Sequence, residues 1–74
     1  MSVLPQVSGR EVAAALVKAG YEKDRQRGSH IVMRQTATPH RRITIPDHDE
    51  IAKGTLRAIL RQAGITLEEF KLLL

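Results

Sequence analysis

Three histidines, His30, His40 and His48, are the side chains of this sequence best suited to moving protons near neutral pH. An imidazole titrates near 6.5, so a large fraction is neutral at cellular pH and able to accept a proton. His30 follows Gly28 and Ser29 and stands among Arg25, Arg27, Arg34 and Arg42. Cutting RNA without a metal calls for such a set. A base takes the proton from a ribose 2′-OH, the oxygen attacks the adjacent phosphate, and guanidinium groups hold that phosphate and offset the developing charge. One positioned acid–base group contributes roughly 10²–10⁴-fold, which makes a modest nuclease. Gly28 and Ser29 read as a turn that brings a phosphate close to backbone amides. No general acid for the leaving 5′-oxygen is identifiable; water or an arginine-bound network is left to serve. On spacing alone, a histidine on a solvated strand is the commoner case, and the turn is needed whatever the histidine does.

The other candidates are weaker. His48 lies in Pro46-Asp47-His48-Asp49-Glu50, but this spacing matches no metal-ligand template, and acids just before a helix suit its positive end. No metal and no other cofactor is expected, and His48 is expected to hydrogen-bond the connector or a neighbouring strand. His40, beside Pro39, reads as a solvated loop residue. Cysteine is absent, which removes thiol nucleophiles, thiolate metal sites and disulfides. Arg57 and Arg61, one turn apart, read as a solvated helix face. Leu72 to Leu74 either dock on a partner or close the core.

Charge placement narrows the partner. The net charge is +4, and the segment from Tyr21 to Ile45 carries all of it: Lys23, Arg25, Arg27, Arg34, Arg41 and Arg42 against Glu22 and Asp24. A basic middle attracts a polyanion such as RNA, or an acidic protein. A solvated sheet surface with no partner would look the same. Tyr21 and Phe70 are the only aromatic residues, too few for a platform on which several bases stack. No apolar run is long enough to span a bilayer, and Met1 to Val7 has no basic cluster and contains Pro5. A cytoplasmic protein without membrane contact is expected.

The elements that must position these residues follow from caps and periodicity. The chain's 74 residues suit one compact domain, 1–74. Ser8-Gly-Arg-Glu11 has the spacing of a capping box, and Val12, Ala13, Leu16, Val17 and Ala19 recur at helical intervals before Gly20, predicting a helix over about 9–19. Tyr21 to Gln26 alternates, Arg27-Gly28 turns, Ser29 to Gln35 is a second strand and Arg41 to Ile45 a third, stopped by Pro46. Three consecutive short strands predict an antiparallel meander. Its inner face would be Ile31, Met33, Ile43 and Ile45, and its outer face His30, Val32, Arg34, Arg42 and Thr44. Strand one fits badly, since Lys23 and Arg25 share a register with Tyr21; either they snorkel at the sheet edge or a bulge shifts the register. Asp47 to Lys53 is a polar connector. Leu56, Ile59, Leu60 and Ala63 mark a second helix stopped by Gly64, and Thr66-Leu-Glu-Glu69 opens a short third. The helices must cover the Ile/Met face.

Gly-Tyr at 20–21, Arg-Gln-Arg-Gly-Ser-His-Ile at 25–31, Ile-Thr-Ile-Pro-Asp-His at 43–48 and Lys-Gly-Thr-Leu-Arg-Ala-Ile-Leu-Arg-Gln-Ala-Gly-Ile at 53–65 resemble the HicA-like toxins of type II toxin–antitoxin pairs. The resemblance runs from about Ser8 to Phe70. It implies an α+β, double-stranded-RNA-binding-like fold of order α-β-β-β-α, with helices on one face of a three-stranded antiparallel sheet and a short C-terminal helix. It also implies ribosome-independent cleavage of mRNA, an endoribonuclease with the histidine of Gly-Ser-His, here His30, as catalytic residue. The implied partner is a HicB-like antitoxin that would cover the sheet face bearing His30, partly through acidic residues. Strand one departs from the family pattern: Glu22, Lys23 and Asp24 stand where apolar residues commonly alternate. The alternative is a non-catalytic RNA-binding module of the same fold, although the helix opening Lys53-Gly-Thr-Leu lacks the lysine cluster that a double-stranded-RNA-binding domain carries there.

Overall fold

The computed structural model describes residues 3–74; Met1 and Ser2, the start of the N-terminal stretch weighed above, lie outside the described residues. The element order is α1 (Gly9–Lys18), β1 (Tyr21–Arg27), β2 (His30–Gln35), β3 (Arg42–Pro46), α2 (Lys53–Ala63) and α3 (Leu67–Leu73). The strands form one antiparallel sheet in the order β1-β2-β3, so the α+β meander expected from the sequence is what forms.

Local chemistry sets the helix ends. The Ser8 hydroxyl accepts from the Glu11 amide at 3.1 Å while the Glu11 carboxylate accepts from the Ser8 amide at 2.9 Å. Thr66 and Glu69 repeat this reciprocal cap at 3.1 and 3.0 Å to open α3. Gly64 closes α2 at φ +72°, where an L side chain would be strained, and the amides of Gly64 and Ile65 bond the carbonyls of Arg61 and Leu60, both at 3.2 Å. The start of α2 has no side-chain cap, because Ala52 occupies that position.

The core is a single layer between the sheet and the helices. Cross-strand pairs Ile31–Ile45 and Met33–Ile43 form its floor. Val12, Ala15 and Leu16 of α1, Leu56, Ile59 and Leu60 of α2, and Phe70 of α3 form its roof. Two segments without regular structure contribute as well. Leu4 and Val7, ahead of α1, are buried, and so is Ile51, in the connector. The Ile51 amide donates to the Val7 carbonyl at 2.8 Å and the Gly9 amide to the His48 carbonyl at 2.9 Å. The connector is therefore not merely polar, as its composition suggested; Ile51 anchors it. Among the described residues, no helix is long and apolar enough to cross a membrane.

Gly9 sits where α1 begins against the end of β3. A Cβ built there falls inside van der Waals contact with the Pro46 carbonyl oxygen and presses on the backbone of Asp47. Gly54, in the first turn of α2, has open space around it. Gly9→Ala is expected to lower stability by about 3 kcal/mol, the upper end of ordinary overpacking, since backbone rather than a flexible side chain must move. Gly54→Ala should raise it by about 0.5–1 kcal/mol. Urea denaturation of the two variants reads both.

Candidate nucleic-acid interface

The outer face of the sheet takes its composition from a β-bulge. Along β1, Tyr21 pairs with Gln35, Glu22 with Arg34 and Lys23 with Met33; after the bulge at Asp24, Arg25 pairs with Val32, Gln26 with Ile31 and Arg27 with His30. Successive strand residues alternate faces, so one extra residue inverts everything that follows it. Without the bulge, Arg25 and Arg27 would share the helix-covered face with Tyr21. With it, they join His30 on the open face, and Gln26 turns inward. The choice left open by the sequence is resolved in favour of the bulge, although Lys23 still points to the helix side.

The open face is a grid of three rows. Arg27, His30 and Pro46 form the first, Arg25, Val32 and Thr44 the second, and Glu22, Arg34 and Arg42 the third. Directly opposed side chains in such a ladder have Cβ atoms about 4.5–5.5 Å apart. His30 is exposed, and its ring makes no hydrogen bond to any described residue. Its backbone is fixed more tightly. Gly28 has φ +56°, which a side chain would resist and which the first residue of this two-residue hairpin turn requires. The Ser29 carbonyl accepts from the Asp47 amide at 2.6 Å, and the Gly28 carbonyl from Gln26 Nε2 at 3.2 Å.

The four arginines do not share one role. Arg34 Nη1 lies 3.3 Å from Glu22 Oε1, and Arg42 Nε lies 3.1 Å from Oδ2 of Asp24, the residue that makes the bulge. Both arginines belong to the third row, with Arg34 roughly 13 Å along the strand from His30 at about 3.3 Å per residue. Arg25 and Arg27 are exposed and, among the described residues, make no ion pair. Positive charge is thus free at the His30 end of the face and offset at the far end. Exposed pairs of this kind contribute about 0–1 kcal/mol, so a phosphate can compete with Glu22 and Asp24 for their arginines. The structure puts Arg27, Gly28 and Ser29 beside His30 and Arg25 in the middle row, between His30 and the row of Arg34 and Arg42.

Two histidines sit otherwise than composition suggested. His40 is half-buried rather than free in its loop: it adopts φ +62° and its Nδ1 lies 3.2 Å from the Gln35 carbonyl. His48 is exposed, and its backbone carbonyl, not its ring, makes the bond to Gly9. Among the described residues, no group of three or more His, Cys, Asp or Glu side chains is arranged to hold a metal ion. In the sequence Asp47 reads only as one of the acids ahead of α2; in the fold its carboxylate takes Arg10 Nε at 3.3 Å and Gln26 Nε2 at 3.0 Å. It ties α1 and β1 to the residue following β3. No local signal marks it, because both partners lie more than twenty positions away.

A family model described as HicA toxin of bacterial toxin-antitoxin matches residues 9–65, a span from the start of α1 to just beyond α2. No curated protein matches the chain.

Both Asp47 links reach out to exposed partners, Arg10 and Gln26. Arg10's side chain is 82% exposed, whereas that of Asp47 is 18% exposed. Asp47→Ala is expected to destabilise the fold by about 1 kcal/mol, because it removes the Gln26 bond to a charged acceptor as well as the Arg10 pair, both in contact with solvent. Arg10→Ala should cost under about 0.5 kcal/mol. Equal effects in chemical denaturation would mean that the Gln26 bond contributes nothing.

Proposed function

We propose that this chain, which belongs to the HicA toxin family of bacterial toxin–antitoxin systems through its match over residues 9–65, is an endoribonuclease that cleaves mRNA with His30 as general base. The observation that carries this reading is the placement of His30. It is an exposed imidazole on the open face of the sheet, opposite Arg27 and next to the row of Arg25, at the end where these cations have no internal partner. Family membership makes the chain a toxin with an antitoxin partner; mRNA as substrate, a HicB-like antitoxin and a cytoplasmic setting belong to the proposal, as does one toxin domain spanning 1–74.

In the proposed reaction, neutral His30 accepts the proton of a ribose 2′-OH. The freed oxygen attacks the adjacent phosphorus and the bond to the 5′-oxygen breaks, leaving a 2′,3′-cyclic phosphate and a 5′-hydroxyl whose proton comes from water. Arg27 and Arg25 hold the phosphate and stabilise the charge that builds on its oxygens. The Gly28-Ser29 turn keeps the backbone low beside them, so that a phosphate can approach. Arg34 and Arg42 bind the flanking strand after exchanging their carboxylates for phosphates. The HicB-like antitoxin covers this face with acidic side chains of its own and so competes with RNA.

His30→Ala is expected to reduce cleavage of a defined mRNA by 10²–10⁴-fold, in line with the loss of one acid–base group. Its melting temperature and RNA affinity should stay near those of the wild type, and wild-type cleavage should persist in excess EDTA. Equal cleavage by both proteins would remove His30 from the chemistry; equal binding with no cleavage by either would leave an RNA-binding module.

The rows also rank the arginines. Arg25→Ala and Arg27→Ala should weaken binding to single-stranded RNA more than Arg34→Ala and Arg42→Ala do. Each should flatten the dependence of log affinity on log salt by about 0.7, the value for one lost phosphate contact on a single strand. Titrations at several salt concentrations give both numbers.

A further inference from the structure

On the helix side of β1 the sheet is incompletely covered. The inner-face positions of β1 are Tyr21, Lys23 and Gln26, and of these only Tyr21 is apolar and buried. Lys23 and Gln26 lie at the edge instead and bond each other, Nζ to Oε1, at 2.9 Å. What remains is an open cleft of about 270 Å³ between α1 and β1. Its floor is the buried Ile31 and Met33, its wall is Ala13 with the exposed Ala14 and Val17, and Arg10, Lys23 and Gln26 stand at its mouth. Val17 is 54% exposed although it lies inside a helix, where the large aliphatic residues Val12 and Leu16 are fully buried.

We propose that this cleft is the anchor site for the antitoxin, receiving one large apolar side chain whose neighbouring carboxylates pair with Arg10 and Lys23. This rests on the family's having an antitoxin partner and goes beyond masking of the His30 face. Three observations commit the cleft to that occupant. Its apolar floor and volume of about 270 Å³ suit a single anchoring side chain. Its mouth is cationic with donors to spare: Arg10 reaches Asp47 through Nε, leaving its other guanidinium nitrogens free, and Lys23 has one acceptor for three protons. Its rim is also continuous with the His30 turn, because Gln26 bonds both the Gly28 carbonyl and Asp47. A protein lying over the β1 edge can therefore touch the open face and the cleft together. An RNA strand would use the cations but has no aliphatic group to fill the floor.

Val17→Asp and Lys23→Glu test this, since both positions are exposed and neither belongs to the proposed RNA site. The probe is the purified product of the antitoxin reading frame adjacent to the toxin's own, titrated calorimetrically into each variant, with melting temperature as the folding control. Both variants should bind that protein at least tenfold more weakly than the wild type does, and free-toxin RNA cleavage should be unchanged. The Lys23→Glu loss should shrink at high salt while the Val17→Asp loss persists. Wild-type affinity in both variants would overturn the proposal and leave the His30 reading untouched. Loss of RNA binding with antitoxin binding preserved would overturn it in favour of RNA. Failure of the wild-type chain to bind the probe would also reject it.

Discussion

The helices of this chain cover one side of a three-stranded sheet, and that one-sidedness governs which residues are structural and which are free to act. On the covered side, burial of Ile31, Met33, Ile43 and Ile45 against α1, α2 and α3 supplies the hydrophobic stabilisation. On the other side, nothing requires apolar residues, and the sheet can display charge without any desolvation cost. The two faces belong to the same strands, so strong register on the buried face fixes the spacing of the open one. His30 stands one residue before Ile31 and must point away from the core for as long as Ile31 points into it.

Only β1 escapes this discipline, and it does so by the bulge at Asp24. Its first residue, Tyr21, is held in the core, while its last, Arg27, is held opposite His30 by the two-residue turn. These two anchors have the wrong parity for a regular strand, and an extra residue reconciles them. The same residue then holds Arg42 across the open face, so the bulge separates free from paired arginines as well as turning Arg25 and Arg27 outward. Its consequence on the inner face is the opposite: polar Lys23 and Gln26 stand where the sheet would otherwise be sealed, and a cleft results.

Asp47 joins the two sides. It follows the last residue of β3, receives Gln26 from β1 and Arg10 from α1, and its amide holds the turn that leads into His30. Through it the start of α1, the end of β3 and the β1–β2 hairpin are one hydrogen-bonded corner. Gly9 packs into the same corner because only a residue without a Cβ lets α1 begin so near the Pro46 carbonyl. A turn fixed in this way presents an exposed histidine from a rigid base.

Much of this was legible in the residues themselves. The capping boxes of Ser8-Glu11 and Thr66-Glu69, the stop at Gly64, the alternation of Ile31 with Met33 and of Ile43 with Ile45, and the turn at Gly28-Ser29 are local signals. They placed the elements within a residue or two, α2 with its opening at Lys53 among them, and His30 on the open face. What they could not decide is where distant segments meet. The bulge depends on a parity conflict between two anchors at opposite ends of β1, and the Asp47 corner on contacts spanning 21 and 37 positions. The burial of Ile51, Leu4 and Val7 depends on segments without periodicity finding each other across the fold. Local sequence determined the elements and their faces, because caps, turns and alternation act within a few residues. Tertiary structure alone decided which charges stand free beside His30, because that depends on pairing among strands rather than on any one of them.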